Sequence, residues 1–248
     1  MKVAVIGGGS TYTPELVNGF IGGARELDLQ EVWLMDIDRA RLDIVGGYAW
    51  RMVEAAGRPL VLNLTTSRAD ALRDAAFVET QIRVGGMRAR LRDEELGARW
   101  GLVGQETTGV GGMAKALRTV PVILSVADDM RRLCPDAWLI NFANPSGLVT
   151  EALQRYAPEI RSIGLCNSPI GTQMRIAKQH GVGPYEVILD YLGLNHLSWI
   201  RGARVNGRNV WPAFFEAYLQ GLDSSADAAC PPWLARSLEA IPSSYLRY

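Results

Sequence analysis

The chain has 248 residues, 48% of them hydrophobic, and its 26 basic side chains balance its 26 acidic ones. This composition allows a substantial hydrophobic core and gives no overall field that would attract nucleic acid. The three cysteines lack CxxC spacing, no charged segment precedes the first apolar residues, and no apolar run approaches the roughly 20 residues of a membrane-spanning helix. The sequence therefore predicts a cytoplasmic protein that has no disulfide framework, binds no nucleic acid and enters no membrane.

Short apolar runs alternate with helical stretches through most of the chain. Helices are predicted from about Pro14, over Arg39–Ala56 and over Val120–Cys134. The predicted strands are Lys2–Ile6, Glu31–Met35, Leu60–Leu64, Phe77–Gln81, Trp138–Asn141 and Ile160–Leu165. Such βαβ alternation predicts an α/β fold with a doubly wound parallel Rossmann sheet.

The pattern changes beyond about residue 168. Tyr185–Leu194 and Ser198–Val205 are predicted strands, and a helix is predicted near Phe214. We therefore predict a Rossmann domain over residues 1–168. Residues 169–248 would then be the first part of an α+β second domain.

The first predicted strand ends in a glycine-rich loop that precedes a helix. Glycines there let the backbone approach a pyrophosphate, and Asp36, after the second strand, can accept hydrogen bonds from ribose hydroxyls. Tyr12 replaces the third glycine of G-x-G-x-x-G, so a plain strand-to-helix turn with a solvent-facing Asp36 stays an alternative. A carboxylate at Asp36 would repel a 2′-phosphate and favours NAD over NADP. The predicted cofactor-binding residues are Gly7, Gly8, Gly9, Ser10, Thr11 and Asp36.

Three further segments are candidates for ligand binding. The segment 81–94 carries arginines after a predicted strand, which suits a phosphorylated ligand, although a solvated basic helix face would look the same. The segment 104–112 combines four glycines with Gln-Glu-Thr-Thr and is predicted to be a binding loop. The segment 141–147 offers two amides and a proline to a nicotinamide or a sugar hydroxyl.

Cys166 and His196 each follow a predicted strand, and His196 is one of only two histidines. A thiolate, an imidazole and ligand oxygens would suit Mn²⁺, Fe²⁺, Co²⁺ or Ni²⁺. Two such residues are too few for a closed structural zinc site. From spacing alone, a buried free cysteine and a core histidine are the favoured alternative.

Five motifs make a metal site the favoured interpretation of Cys166 and His196. In order along the chain they are IGGGSTYTP, DEELGARWGLVGQETTGVGG, NFANPSG, GLCNSP and GLNHLSW. Together they resemble the NAD- and divalent-metal-dependent glycosidases of glycoside hydrolase family four. The resemblance spans essentially the whole chain, and five ordered motifs are far more specific than any one of them. That family is an exception to glycoside hydrolysis by two carboxylates, which agrees with the lack of a convincing carboxylate pair here.

The resemblance implies a role for several residues. Cys166 and His196 would hold the metal, with Mn²⁺ the first choice. Asn at position 167, where α-type members tend to carry Asp, implies a 6-phospho-β-glucosidase. The implied substrate-binding residues are Arg90, Glu106, Asn144 and Asn167.

The implied reaction removes hydride from C3 of the sugar to NAD⁺, which makes the C2 proton acidic. A base then takes that proton, the aglycone leaves, water adds, and hydride returns to C3, with the metal as Lewis acid. In the segment 243–248 the resemblance implies Tyr245 as the base, with Tyr248 the less favoured candidate. Family members continue well past this segment, through an arginine expected to hold the substrate phosphate, so we expect a truncated chain of reduced activity.

Two alternatives from other classes stay open. A lactate/malate-type 2-hydroxyacid dehydrogenase shares the glycine loop, Asp36 and an Asn-Pro motif, although His196 after Asn195 suits its acid/base pair poorly. An inactive NAD-binding fragment is the other. For the glycosidase that the resemblance implies, we expect a phosphorylated sugar as the small-molecule substrate, and a homo-oligomer.

Overall fold

The computed structural model describes residues 1–223 and 230–247. It divides into two compact units, Met1–Leu165 and Cys166–Tyr248. The sequence placed this boundary after residue 168.

The first unit contains a six-stranded parallel sheet with the spatial order β3-β2-β1-β4-β5-β6. The strands are β1 (Lys2–Ile6), β2 (Glu31–Met35), β3 (Val61–Thr65), β4 (Phe77–Thr80), β5 (Trp138–Asn141) and β6 (Ser162–Gly164). The strand order reverses between β1 and β4, which is where doubly wound sheets open a crevice at the carboxyl ends of their strands. The predicted fold class is confirmed.

The central strand β1 shows why a continuous apolar run forms a parallel strand. Ala4 and Ile6 pack into one hydrophobic cluster, and Val3 and Val5 pack into a second cluster. Because helices cover both faces of such a sheet, every position of the strand can be apolar.

Helices join these strands: α1 (Thr13–Gly23), α2 (Arg39–Ala55), α3 (Arg68–Leu72), α4 (Gly86–Ala98), α5 (Gly109–Leu133) and α6 (Ser146–Tyr156). Helix α1 has Pro14 in its first turn, where the missing N–H is not needed. The side chains of Asp38 and Ser67 cap α2 and α3 by accepting hydrogen bonds from backbone N–H groups.

Helix α5 begins much earlier than Val120, the predicted start. Its first turn contains glycines because the preceding loop packs directly against it: a Cβ at Gly112 would lie 2.6 Å from the backbone carbon of Thr107, and one at Gly111 would meet the Gln105 carbonyl. By length and composition α5 could cross a membrane. Its Ile123 and Met130 are nevertheless buried in the core of the first unit, as in the central helix of a globular domain.

The second unit contains an antiparallel sheet of order β10-β8-β7, with β9 paired to β8. Its elements are α7 (Ser168–His180), β7 (Val187–Leu194), β8 (Leu197–Val205), β9 (Arg208–Asn209), α8 (Trp211–Asp223), α9 (Pro232–Leu238) and β10 (Ile241–Pro242). The residues Pro184–Glu186, where a strand was predicted to begin, form a 3-10 turn. Ile176 of α7 packs on Val187 and Val205 to form the core of this unit.

Glu79 is a buried acid in the middle of β4. It lies opposite Val5 of β1 and Ile140 of β5, and only 8% of its surface is exposed. Its Oε2 is buried and has no hydrogen-bond partner in the part of the chain that the structure describes. Burial raises the pKa of Glu79 to about 8, because an unpaired charge is costly to bury.

We predict that Glu79→Gln flattens the pH dependence of the free energy of unfolding. With a folded pKa of about 8 against an ordinary 4.5, Glu79 keeps a proton that the unfolded chain releases. Its contribution to stability is therefore complete below about pH 4.5 and is lost as the pH rises to about 8, a change on the order of a few kcal/mol at most. Urea unfolding at acidic, neutral and alkaline pH would measure the free energy of unfolding of the unmutated chain and of Glu79→Gln.

The exposed Glu26→Gln is the matched control, since it removes a carboxylate that water already solvates. If the free energy of unfolding depends on pH in the same way for Glu79→Gln, the control and the unmutated chain, the pKa of Glu79 is not raised by burial.

Candidate cofactor and metal sites

The glycine loop after β1 is a tight turn held by hydrogen bonds within the first unit. The N–H groups of Gly7 and Gly8 both donate to the carbonyl of Met35 at 2.8 Å. Gly7 has a φ of +103°, and a Cβ at Gly8 would lie 2.7 Å from the Cβ of Leu34. These glycines therefore provide the left-handed turn and the close approach to β2, and their N–H groups are already used.

Asp36 is joined to this loop and does not simply face solvent. Its carboxylate accepts hydrogen bonds from the N–H of Gly9 at 2.8 Å and from that of Asp38 at 3.0 Å. The guanidinium of Arg41 donates to the Gly9 carbonyl at 3.2 Å. The structure thus brings together the loop and the acid that the sequence selected, at the end of the sheet where dinucleotides bind.

The start of α1 offers donors to a ligand. Thr11 is exposed, and neither its N–H nor its hydroxyl makes a hydrogen bond to another residue of the described ranges 1–223 and 230–247. The Ser10 hydroxyl accepts from the N–H of Tyr12 at 3.2 Å. A glycine turn, an acid after β2 and open donors at a helix N-terminus are the groups that a dinucleotide requires.

Glu106 lies in a cluster of three cations that sequence reasoning found only in part. Its Oε2 accepts from Lys115 Nζ at 2.9 Å and pairs with Arg83, and its Oε1 is 3.7 Å from Arg90. Arg90 also pairs with Glu94 at 2.8 Å. Burial by itself raises the pKa of Glu106, but hydrogen bonds and charges from Arg83 and Lys115 outweigh it and lower that pKa to about 2.

Asn144 follows β5 in a loop that a buried amide holds in place. Asn141 Oδ1 accepts from the Thr80 hydroxyl at 2.9 Å and from the N–H of Ala143 at 3.2 Å. Asn144 itself is half-buried. The structure brings Arg90 and Glu106 together.

In the second unit, the Cys166 sulfur lies 3.6 Å from Nε2 of His196. His196 is only 5% exposed and sits in the turn between β7 and β8 with a φ of +64°. A residue other than glycine in this left-handed region carries strain of order 1 kcal/mol or more, and such strain is typical of functional sites.

The thiol is polarised toward its ionised form. Although burial raises the pKa of Cys166, hydrogen bonds with His196 and Ser168 outweigh that effect and lower the pKa to about 7. The Ser168 oxygen, 3.4 Å from the sulfur, was not selected from the sequence. Because thiolate is the form that binds metals, the pair is a ready two-donor set.

A divalent metal fits this donor set if it keeps open positions. Among residues 1–223 and 230–247, the structure contains no group of three or more His, Cys, Asp or Glu side chains that could enclose a metal. A closed structural site is thus not formed by the described residues, whereas a thiolate and an imidazole leave room for oxygens of water or substrate.

Tyr245 and Asn167 complete this part of the second unit. The Tyr245 ring stacks on the His196 ring, with centroids 3.7 Å apart and planes 2° from parallel. Asn167 is exposed next to Cys166 at the start of α7. The structure brings Cys166, His196 and Tyr245 together, whereas Tyr248 lies outside the described residues.

The model of the family 4 glycosyl hydrolases matches residues 2–182 of this chain. The chain belongs to glycosyl hydrolase family 4. The family resemblance seen in the five motifs is confirmed, and a lactate/malate-type dehydrogenase is excluded as the family of this chain.

Curated family 4 relatives match the chain over its whole length. A Bacillus subtilis protein named "Probable 6-phospho-beta-glucosidase" is 46% identical, and an Escherichia coli 6-phospho-beta-glucosidase is 43% identical; each match covers 100% of this chain. The chain spans only 58% and 57% of the lengths of these two relatives.

A solved family 4 structure agrees with the fold. The 6-phospho-beta glucosidase of Thermotoga maritima, solved with manganese, NAD⁺ and glucose-6-phosphate, is 40% identical and superposes with a TM-score of 0.92. The match covers 100% of this chain and 58% of that one.

We predict that Cys166 of this family 4 chain is alkylated with a midpoint near pH 7, because its pKa is lowered to about 7 and thiolate is the nucleophile. Iodoacetamide labelling followed by peptide mass spectrometry would measure the rate at each cysteine. Cys134 is an internal control, since burial raises its pKa to about 11 and it should stay unlabelled. In His196→Ala the Cys166 midpoint should move upward, and an unchanged midpoint would mean that the imidazole does not polarise the thiol.

Proposed function

We propose that this chain carries the NAD and metal sites of a glycosidase that hydrolyses 6-phospho-β-glucosides by oxidation, elimination, addition of water and reduction. The observation that carries the proposal is the Cys166–His196 pair with Tyr245 stacked on it. The names of the curated relatives support the phosphorylated β-glucoside as substrate class. Asn167, which resembles the β-type members of the family, supports the same choice.

The first unit would bind NAD through residues 7–11 and Asp36. The glycine turn gives close access, Ser10 and Thr11 lie at the start of α1, and the Asp36 carboxylate disfavours a 2′-phosphate. When bound, NAD⁺ supplies a two-electron acceptor for the C3 hydrogen of the sugar. The Thermotoga maritima relative solved with NAD⁺ supports this cofactor.

The second unit would hold a divalent metal through Cys166 and His196, and the manganese in the same relative supports Mn²⁺. When bound, the metal supplies a Lewis acid for oxygens at C2 and C3 of the sugar. Tyr245 Oη would take the C2 proton. The stack on His196 restricts the Tyr245 ring, so a base is held at a fixed place relative to the metal ligand.

Polar residues would orient the sugar. Glu106 and Arg90, 3.7 Å apart, are suited to hydroxyl groups, since a carboxylate accepts and a guanidinium donates hydrogen bonds. Asn144 and Asn167 would add amide contacts. With this small-molecule substrate we further propose a cytoplasmic homo-oligomer that requires neither nucleic acid nor a membrane.

Release of nitrophenol from its 6-phospho-β-glucoside tests the function. We predict release in the presence of NAD⁺ and Mn²⁺, none when either is omitted, and little from the α-anomer. Omitting NAD⁺ or Mn²⁺ is the most discriminating part of the test, because a glycosidase that uses two carboxylates needs neither of them.

Two other outcomes of this assay would contradict the proposed function. Release that continues without NAD⁺ would contradict the oxidative route. NAD⁺ binding without any release would instead support the second candidate, an inactive nucleotide-binding protein.

A further inference from the structure

Lys115 of α5 is a lysine in an unusual place. Its side chain is only 4% exposed, and lysine is almost never buried unless it is paired. Its partner is Glu106, whose Oε2 accepts a hydrogen bond from Nζ at 2.9 Å. Burial lowers the pKa of Lys115, while Glu106 acts in the opposite direction and favours the charged form.

The two oxygens of Glu106 have different surroundings. Lys115 and Arg83 both act on Oε2, whereas Oε1 lies 3.7 Å from Arg90, beyond hydrogen-bond distance. Arg90 also pairs with Glu94, which reduces its effect on Glu106. One oxygen is therefore anchored, and the other lies on the side of a partly exposed arginine.

We propose that Lys115 is a positioning residue: its buried ammonium anchors Oε2 of Glu106 and keeps the carboxylate ionised, so that Oε1 faces a sugar hydroxyl. This inference rests on the proposed function, in which Glu106 contacts the substrate. A carboxylate that must accept a hydrogen bond needs both a fixed direction and a full negative charge.

Lys115 and Arg83 act on Glu106 from different surroundings. The Arg83 side chain is 33% exposed, so water screens its charge, whereas Lys115 acts from a desolvated position.

A purely structural role for Lys115 explains less. Helices α4 and α5 are already joined by the bidentate pair of Arg118 with the buried Asp93. A buried ion pair is in any case weak support for stability, because desolvation offsets the attraction. The loop that contains Glu106 is likewise already packed on the first turn of α5 at Gly111 and Gly112. Placing a lysine beside Glu106 therefore fits control of that carboxylate better than fastening of the loop or the helices.

The direct test is the carboxyl pKa of Glu106, followed by NMR on the full chain with ¹³C-labelled glutamate. The charged groups that face Glu106 are Arg83, Arg90 and Lys115, with Glu94 behind Arg90. Lys115→Met removes the buried charge, so we expect the Glu106 pKa to rise by about one unit or more above its value in the unmutated chain. Lys115→Arg, which keeps the charge, should hold it low.

Binding of glucose 6-phosphate in the presence of NAD⁺ and Mn²⁺, measured by calorimetry, is the second readout. Lys115→Met should bind the sugar phosphate about tenfold more weakly at neutral pH. It should lose further affinity as the solution is made acidic, because its Glu106 takes up a proton at a higher pH than in the unmutated chain. The affinity for NAD⁺ should not change. Lys178→Met, at an exposed lysine of α7, is the matched control and should behave as the unmutated chain.

The outcomes separate this inference from the proposed function. An unchanged Glu106 pKa in folded Lys115→Met would overturn the positioning role. A raised pKa together with no binding of glucose 6-phosphate by the unmutated chain would support the positioning role and overturn the proposed function. If Lys115→Met does not fold, Lys115→Gln, which keeps a donor without the charge, provides the same pKa comparison.

Discussion

The approach of the Cys166 sulfur to within 3.6 Å of the His196 imidazole is the contact on which the proposed chemistry depends. It requires a histidine in the left-handed region of a hairpin turn, which disfavours folding, and a half-buried thiol with a lowered pKa. A core cysteine needs neither feature. Cys134 is such a core cysteine, because burial dominates its surroundings and raises its pKa to about 11.

Two glutamates of the first unit show how the same side chain is used in opposite ways. Glu106, among Arg83, Lys115 and Arg90, keeps its charge far into acid, whereas Glu79, which forms no ion pair with any residue that the structure describes, keeps its proton to about pH 8. The difference comes from neighbours and not from depth alone, since burial raises the pKa of both. A charged acid therefore lies at the candidate sugar site and a neutral one inside the sheet.

The elements predicted well from sequence are those that local pattern determines. The bounds of β1, β2 and β5 match because each is a short apolar run, with β1 shared between two cores. The start of α5 was missed because Gly109 to Gly112 read as a loop, and only the contact with residues 105 and 107 shows why glycine is required there. Ile160–Leu165 was predicted too long, since only Ser162–Gly164 pairs with β5.

The candidate sites depend more on tertiary contacts. Spacing alone left Cys166 and His196 ambiguous, and the ordered motifs were needed to select them. Lys115 and Ser168 could not be selected because nothing local distinguishes a lysine within a helix or a serine at a helix start from one facing solvent. Their roles come from the chain placing them beside Glu106 and Cys166.

Binding of Mn²⁺ to the full chain without sugar or NAD, followed by the EPR signal of free Mn²⁺, tests whether Cys166 and His196 form a metal site. At about pH 8, above the Cys166 pKa of about 7, we expect a single bound Mn²⁺. Cys166→Ser and His196→Ala should each weaken binding by about 100-fold or more, beyond the usual effect of losing an outer-shell partner, while Cys134→Ser binds as the unmutated chain. Folded Cys166→Ser and His196→Ala proteins that bind Mn²⁺ as tightly as the unmutated chain would show that these two residues do not hold the metal.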